Sequence, residues 1–403
     1  MSAATLTLKP TKEKSLKRGH PWVFSGAVAR IEGEQASGAT VRIVDAQGRF
    51  LAWGALSPQS QIRARVWSFQ HNTVIDAAFF QRRVAVAVAL RKRHAFASNA
   101  MRLVHAEADG LPGLVVDRYA DTMVTQFGAA GVEAWRAEIC AALLEESGCA
   151  RLFDRSDADV RTLEGLAPRV GWQHGAGDFV VPIEEHGLRY QVDVAQGHKT
   201  GWYLDQRDNR AAVYEAVKSR KLQRVLNCFS YTGGFSLAAL RGGAQQVVSV
   251  DSSSPALTIA QSEAAKNGYG IGSSASTANL AWHEADVFAY LRDARQRQEH
   301  YDCIILDPPK FAPTPATIER AARAYKDINL CALRLLEPGG LLFTFSCSGG
   351  VSADLFQKIV AGAAVDAGVE CRIVGRLGAP LDHPLSLAFP EGEYLKGLVL
   401  ERV

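Results

Sequence analysis

Asn227-Cys228-Phe229-Ser230-Tyr231-Thr232-Gly233-Gly234-Phe235 follows a short apolar run, Arg224 to Leu226, and turns on glycine just beyond it. Two later segments repeat the arrangement. Asp307-Pro308-Pro309-Lys310-Phe311 follows Cys303 to Leu306, and Ser346-Cys347-Ser348 follows Leu341 to Phe345. Apolar runs this short, with no alternation, read as strands buried on both faces of a parallel sheet. In an open α/β sheet, ligands bind outside the carboxyl ends of the strands. A glycine turn, a carboxylate and a thiol therefore gather around one crevice.

Strands and helices alternate from Asp205 onward, which implies parallel βα units. Strands are expected near 223–227, 246–250, 281–285, 303–306, 340–345, 370–376 and 395–401. A helix is expected over 316–336, with Ile318, Ala321, Tyr325, Ile328, Ala332 and Leu336 on one face. The fold class is α/β: a seven-stranded, doubly wound, Rossmann-like sheet with a reversed element at its edge. Asp205 is expected to cap the first helix.

The loop after the first strand lacks the G-x-G-x-x-G order of a dinucleotide binder and the G-x-x-x-x-G-K-[ST] of a P-loop. Thr232-Gly233-Gly234 still lets backbone approach a ligand at a helix amino terminus. Asp251 ends the next strand, where a ribose diol would sit, and Asp286 follows the third strand, where an adenine amino group would sit. An adenosine cofactor without a diphosphate fits this series, which points to S-adenosylmethionine. The expected cofactor contacts are Asn227, Phe229, Ser230, Tyr231, Thr232, Gly233, Asp251, Ser252, Asp286 and Val287.

Prolines in Asp307-Pro308-Pro309 stiffen a loop and remove amide donors, so a carboxyl and a carbonyl can address the edge of a planar base. Pro308, Pro309, Lys310 and Phe311 are the expected substrate contacts. This motif leaves open whether nitrogen or carbon accepts the methyl group. Cys347 points to carbon, because a thiolate adding to carbon 6 of a pyrimidine makes carbon 5 nucleophilic. The catalytic pair is then Cys347 and Asp307.

The chain has 403 residues, enough for two to three domains. No apolar stretch approaches the roughly 18 residues of a membrane span, and Met1 to Ser15 shows no signal-peptide core. Seven scattered cysteines without a Cys-x-x-Cys pair argue for a reducing cytoplasm and against a zinc site. Residues 1–95 hold fifteen Lys or Arg against five acids, while the whole chain carries only +3. A basic module on an acidic body suggests a polyanion held at one end. Alternation in Thr40 to Val44, Arg49 to Leu56 and Gln61 to Trp67 predicts a small β-barrel. A helix is expected over 76–94, whose basic end Arg91-Lys92-Arg93 suits its dipole. Strands at 102–106, 114–117 and 122–127 and a helix over 131–147 predict an α+β region. A boundary is expected at the glycine-containing stretch 171–178, before a hairpin around His186-Gly187.

The chain resembles the bacterial 23S ribosomal RNA cytosine-5 methyltransferases of the large-subunit methyltransferase I type. The resemblance covers essentially all of it, through Gly19 to Gly26, Asp109 to Gly113, Gly197 to Gly201 with Leu204 to Arg207, Leu226 to Gly234, Asp307 to Phe311, Tyr325 to Asn329, Ser346 to Gly349 and Asp382 to Pro384. It implies a PUA RNA-binding domain over 1–72, a linker helix and α+β domain over 73–178, and a class I methyltransferase domain over 179–403. It also implies a ribosomal RNA partner, no metal, and a role for Gln206 and Arg207 in holding the cofactor or a flipped base; a homodimer stays open. One departure stands out. Enzymes with two active-site cysteines place one directly after the Asp-Pro, where this chain has Pro309. The base that removes the carbon-5 proton is therefore unassigned, with Asp307 or a water it holds as the expected candidate. Two alternatives stay open: an exocyclic-amine methyltransferase that leaves Cys347 idle, and a non-catalytic RNA-binding assembly factor.

Overall fold

The computed structural model describes residues 4–269, 278–312 and 317–403. Its chain packs as two compact units, Met1–Leu204 with Leu381–Gly392, and Asp205–Pro380 with Glu393–Val403.

The first unit holds two larger sheets and one hairpin. Six strands pair in the order Trp22–Phe24, Ile62–Ser68, Phe50–Leu56, Thr40–Val44, Ala4–Leu8, Val28–Glu32. The alternation in 40–67 predicts three of them. The pairs Ala4–Leu8 with Thr40–Val44 (parallel) and with Val28–Glu32 (antiparallel) had no turn signal to announce them. Five further strands follow, ordered Arg169–His174, Arg151–Ser156, Thr122–Phe127, Leu114–Tyr119, Ala100–His105. The stretch read as a boundary at 171–178 thus begins inside an edge strand. Its residues are largely exposed, so no apolar run marked it. The helix expected over 131–147 is broken at Trp135 into Ala130–Ala134 and Arg136–Ser147. Gly131 lets the short helix press onto Ala55 and Trp67, since a Cβ there would lie 2.4 Å from the Ala55 Cβ. Ala55 and Trp67 share one apolar core with Phe79, Phe80, Leu103 and Leu143. The β module and the α+β region are therefore fused through buried surface.

The second unit is one seven-stranded sheet flanked by helices. Its strands are β1 Arg224–Cys228, β2 Gln246–Asp251, β3 Asn279–Glu284, β4 Tyr301–Leu306, β5 Leu336–Ser346, β6 Cys371–Leu377 and β7 Lys396–Arg402. Helices α1 Arg207–Arg220, α2 Gly234–Gly242, α3 Ser254–Lys266, α4 Val287–Gln296, α5 Ile318–Leu335 and α6 Ala353–Ala367 connect them; position 316 of the expected helix lies outside the described residues. The order is β3-β2-β1-β4-β5-β7-β6, with β3 to β5 parallel to β1. The reversed strand is β7, antiparallel to both β5 and β6. It lies one place in from the edge, where the sequence reading had placed it at the edge. Burial explains the difference. Lys396 to Leu400 is buried throughout, whereas β6 exposes Arg372, Val374 and Arg376 and tolerates the edge. Leu226, Val248, Ile304 and Leu342 build the core with Leu291, Tyr325 and Phe356 from the helices.

Candidate active site

β2, β1, β4 and β5 are consecutive neighbours, so their carboxyl ends open side by side. Cys228 aligns with Val250 on one side and Leu306 on the other, and Leu306 aligns with Thr344. The loops that follow leave the sheet at one level.

The loop after β1 is held in an unusual backbone. Phe229 (φ +58°), Tyr231 (φ +46°) and Gly233 (φ +79°) all lie in the left-handed region. A non-glycine residue there costs on the order of 1–3 kcal/mol and persists only where surroundings enforce it. The enforcing contacts are visible. Ser230 N donates to Val250 O at 3.0 Å, and Tyr231 N donates to Asp251 Oδ2 at 2.8 Å. Gly233 must be glycine: beyond its φ, a Cβ would sit 3.1 Å from the Ala260 Cβ and 3.3 Å from the Trp282 ring.

Inside this loop, Asn227 Oδ1, Ser230 Oγ and Thr232 Oγ1 are buried without a hydrogen-bond partner among the described residues. Buried polar atoms without partners are costly and rare. Three of them within six residues, at a helix amino terminus, form a cradle for a polar ligand. Asp251 uses its two oxygens to accept from Tyr231 N and from Ser253 N at 2.9 Å, which fixes the carboxylate while each oxygen keeps acceptor capacity for a diol. Ser252 is exposed beside it. Asp286 is exposed and caps α4, accepting from Ala289 N at 2.9 Å. The Val287 side chain goes into the core, so only its backbone is open to a ligand. These residues fit an adenosine-bearing cofactor: hydroxyls and an amide for polar groups, a carboxylate for the ribose, and no phosphate cradle.

On the other side, Asp307 follows β4 and Cys347 follows β5. The Cys347 thiol donates to Pro308 O at 3.8 Å, which brings the two motifs together. Cys228 and Cys303 sit within β1 and β4, fully buried, and burial pushes both thiols up. Cys347, half-buried, lies beyond the carboxyl end of β5, whereas the other partly exposed sheet cysteine, Cys371, begins β6. Pro308 is buried, Pro309 and Lys310 are exposed, and Phe311 packs in an aromatic cluster with Phe229, Phe288 and Tyr325.

A hydroxyl network clamps the thiol segment. Ser346 Oγ donates to Tyr325 Oη at 3.0 Å, Tyr325 Oη bonds Ser348 Oγ at 3.0 Å, and Ser348 Oγ accepts from Ala312 N at 3.1 Å. Burial raises the Tyr325 pKa, against the opposing hydrogen bonds from Ser346 and Ser348, so it serves as a neutral hydroxyl. The sequence reading assigned Tyr325 no role. Its signal was a hydroxyl on an otherwise apolar helix stripe.

Gln206 and Arg207 stand at the start of α1. Gln206, fully buried, donates from Nε2 to Asp307 Oδ1 at 2.8 Å and accepts from Asn209 Nδ2. It thereby orients the carboxylate. Arg207 is buried and pairs with Asp208. Asp205 is not the helix cap: Gln206 occupies that position, and Asp205 lies in a 3-10 turn, where its Oδ2 accepts from the Tyr394 hydroxyl at 2.7 Å.

Other motif strings serve the first unit. Thr200 Oγ1 donates to Asp117 Oδ2 at 2.6 Å, and Asp117 is paired by both Arg102 nitrogens at 2.8 Å. Arg102 N donates to Asp382 Oδ2 at 2.9 Å, and the buried Arg91 pairs with Asp109 and with Asp382 O. Arg91 is therefore a structural cation rather than part of a basic helix end. Arg65 is likewise spent on the buried Glu164. Among the described residues there is no group of three His, Cys, Asp or Glu able to hold a metal, and no helix long and apolar enough to cross a membrane.

Residues 6–69 match the PUA-like domain family, and residues 167–388 match the S-adenosylmethionine-dependent methyltransferase family. Full-length relatives carry one name, ribosomal RNA large subunit methyltransferase I. The Alteromonas mediterranea protein is 46% identical over 99% of both chains. The Shewanella denitrificans protein is 48% identical over 98% of this chain and 99% of its own. That of Tolumonas auensis is 47% identical over 100% of both. Among solved structures, a Streptococcus mutans chain assigned as a SAM-dependent methyltransferase superposes with a TM-score of 0.82 at 23% identity, over 99% of this chain and 100% of its own. A methyltransferase crystallised with SAH gives 0.84 at 23% identity over the same shares, a likeness of fold.

Proposed function

The chain belongs to the ribosomal RNA large subunit methyltransferase I family, an S-adenosylmethionine-dependent family, and from that premise we propose that it forms 5-methylcytosine in large-subunit ribosomal RNA through a covalent bond from Cys347 to carbon 6. One observation carries the reading. A half-buried thiol lies within 3.8 Å of the Pro308 carbonyl, beside Asp307, at the shared mouth of β4 and β5. An exocyclic-amine methyltransferase would need the Asp307 loop and would have no use for a thiol there.

Asn227, Phe229, Ser230, Tyr231, Thr232, Gly233, Asp251, Ser252, Asp286 and the Val287 backbone hold the cofactor, which supplies an electrophilic methyl group when bound. Pro308, Pro309, Lys310 and Phe311 line the base. Cys347, as thiolate, adds to carbon 6 and converts carbon 5 into a nucleophile. Asp307, oriented by Gln206, sets the cytosine edge. Once carbon 5 carries the methyl group, Asp307, or a water it holds, takes the proton from carbon 5 as the sulfur–carbon bond breaks. Because carbons 5 and 6 of a stacked base are hidden, the cytosine enters unpaired or flipped. Residues 1–72 act as the RNA-holding module, 73–178 as linker helix and α+β domain, and 179–403 as the methyltransferase domain.

The test is nucleoside mass spectrometry of unmodified large-subunit RNA incubated with the protein and S-adenosylmethionine. The expected product is 5-methylcytidine. A methyl group on the exocyclic nitrogen of cytidine would overturn the reading.

A further inference from the structure

Lys396 opens β7 and is the register partner of Ser346 at the end of β5. Its side chain is buried, and Nζ donates to Ser348 O at 2.9 Å. The Lys396 contacts therefore bracket Cys347, one to the residue before it and one to the residue after it. Among the described residues no acidic side chain forms an ion pair with Lys396. A buried ammonium is expensive unless paired or used, and a single neutral carbonyl is a weak reason to keep one. Its electrostatic neighbours are Glu393, Cys347 and Lys310; burial and Lys310 push the Lys396 pKa down, while Glu393 and Cys347 oppose this. Tyr325 also interacts with the thiol, and its hydroxyl is neutral, so it supplies no positive charge. Lys396 is the buried cation joined to the thiol-bearing turn.

We propose that Lys396 is a positioning residue for Cys347: its ammonium fixes the turn through the Ser348 carbonyl and supplies the positive charge that favours the thiolate. The proposal rests on Cys347 being the nucleophile. The thiol proton leaves to solvent and Lys396 keeps its own, so charge rather than proton transfer is what it contributes. Arginine at this position would keep the charge; methionine would keep the volume and lose it.

The experiment is alkylation of Cys347 by iodoacetamide as a function of pH in the full chain, quantified on the Cys347 peptide by mass spectrometry. In the wild type the midpoint is expected below the roughly 8.5 of an ordinary thiol, and in Lys396→Met it should rise by about one pH unit or more. Lys396→Arg should keep the wild-type midpoint, and S-adenosylmethionine affinity should report that each variant is folded. A wild-type midpoint at or above that of a free thiol overturns the proposal without any variant. So does a folded Lys396→Met whose midpoint is unmoved. Methyl transfer surviving in Cys347→Ala would instead overturn the nucleophile reading, which the alkylation profile does not address.

Discussion

Two regions treat buried polar groups differently: the ion pairs of the first unit, and the loop after β1 in the second. In the first, charges are matched to one another. Arg65 meets Glu164 at 2.8 Å, Arg102 meets Asp117 at 2.8 Å, and Arg91 meets Asp109 at 2.7 Å. Ser57 and Ala130 N add further hydrogen bonds to Glu164. In the second, the loop after β1 keeps three buried polar atoms without partners among the described residues and two non-glycine residues at positive φ. The matched charges are architecture, because every removal leaves a partner stranded. We propose that the unmatched atoms in this loop form the cofactor site, because a bound ligand would complete them. The same contrast separates two cations: Arg91 is saturated by its neighbours, whereas Lys396 answers to a carbonyl beside Cys347.

The largest effect that would break this comparison belongs to Cys347. Cys347→Ala should lower methyl transfer by at least about a thousandfold and leave S-adenosylmethionine affinity nearly unchanged in calorimetry. Substantial turnover in that variant would place the chemistry elsewhere. Glu164→Gln should come next, now in stability. It takes the nearer carboxylate from the buried Arg65, leaving Glu107 at 3.9 Å, and should cost about 1–3 kcal/mol in denaturant unfolding of the full chain. Burial raises the Glu164 pKa, but Arg65 and hydrogen bonds from Ser60 and Ser57 outweigh it and hold the carboxyl below the usual range of 4.5. The folded pKa is thus depressed. Its contribution should be complete above 4.5 and vanish as pH falls through the lower folded value. A wild-type advantage that grows on acidification would contradict this sign.

Ser230→Ala tests the other half. No protein partner is lost, so unfolding free energy should move by less than about 0.5 kcal/mol, while S-adenosylmethionine should bind about fivefold more weakly. A large stability loss with unchanged affinity would make the loop architecture after all. The smallest effect concerns RNA. Neutralising the exposed Lys12, Lys14 and Arg18 should flatten the dependence of RNA affinity on salt by about one to three contacts' worth of slope, with cofactor affinity intact. Deleting residues 1–72 is a poorer test than substitution, since it strips Ala55 and Trp67 from the core they share with Phe79 and Phe80.

The centre of the methyltransferase sheet was legible because β1, β2, β4 and β5 are buried on both faces and are followed by glycine, proline or polar turns. Strand positions, the glycine loop and the meeting of Asp307 with Cys347 all follow from that local pattern. What escaped is non-local. The Trp22–Phe389 ring contact and the His20–Glu391 bond join residues hundreds of positions apart, and no spacing rule encodes them. The Asp382-His383-Pro384 string was visible, but its partner, the Arg102 backbone, was not. The position of β7 depended on comparing two apolar runs for burial, and the Gln206–Asp307 bond joins residues 101 positions apart. Net charge misled in part: Arg65 and Arg91 count toward a basic region in sequence, yet both are neutralised inside the fold.

The most direct measurement uses RNA carrying 5-fluorocytidine at the target site. Fluorine cannot leave carbon 5 as a proton does, so the enzyme should stall after methyl transfer with sulfur still bonded to carbon 6. The account predicts a protein–RNA adduct that survives denaturation and maps by mass spectrometry to the Cys347 peptide. Efficient methylation of ordinary RNA with no such adduct would contradict it.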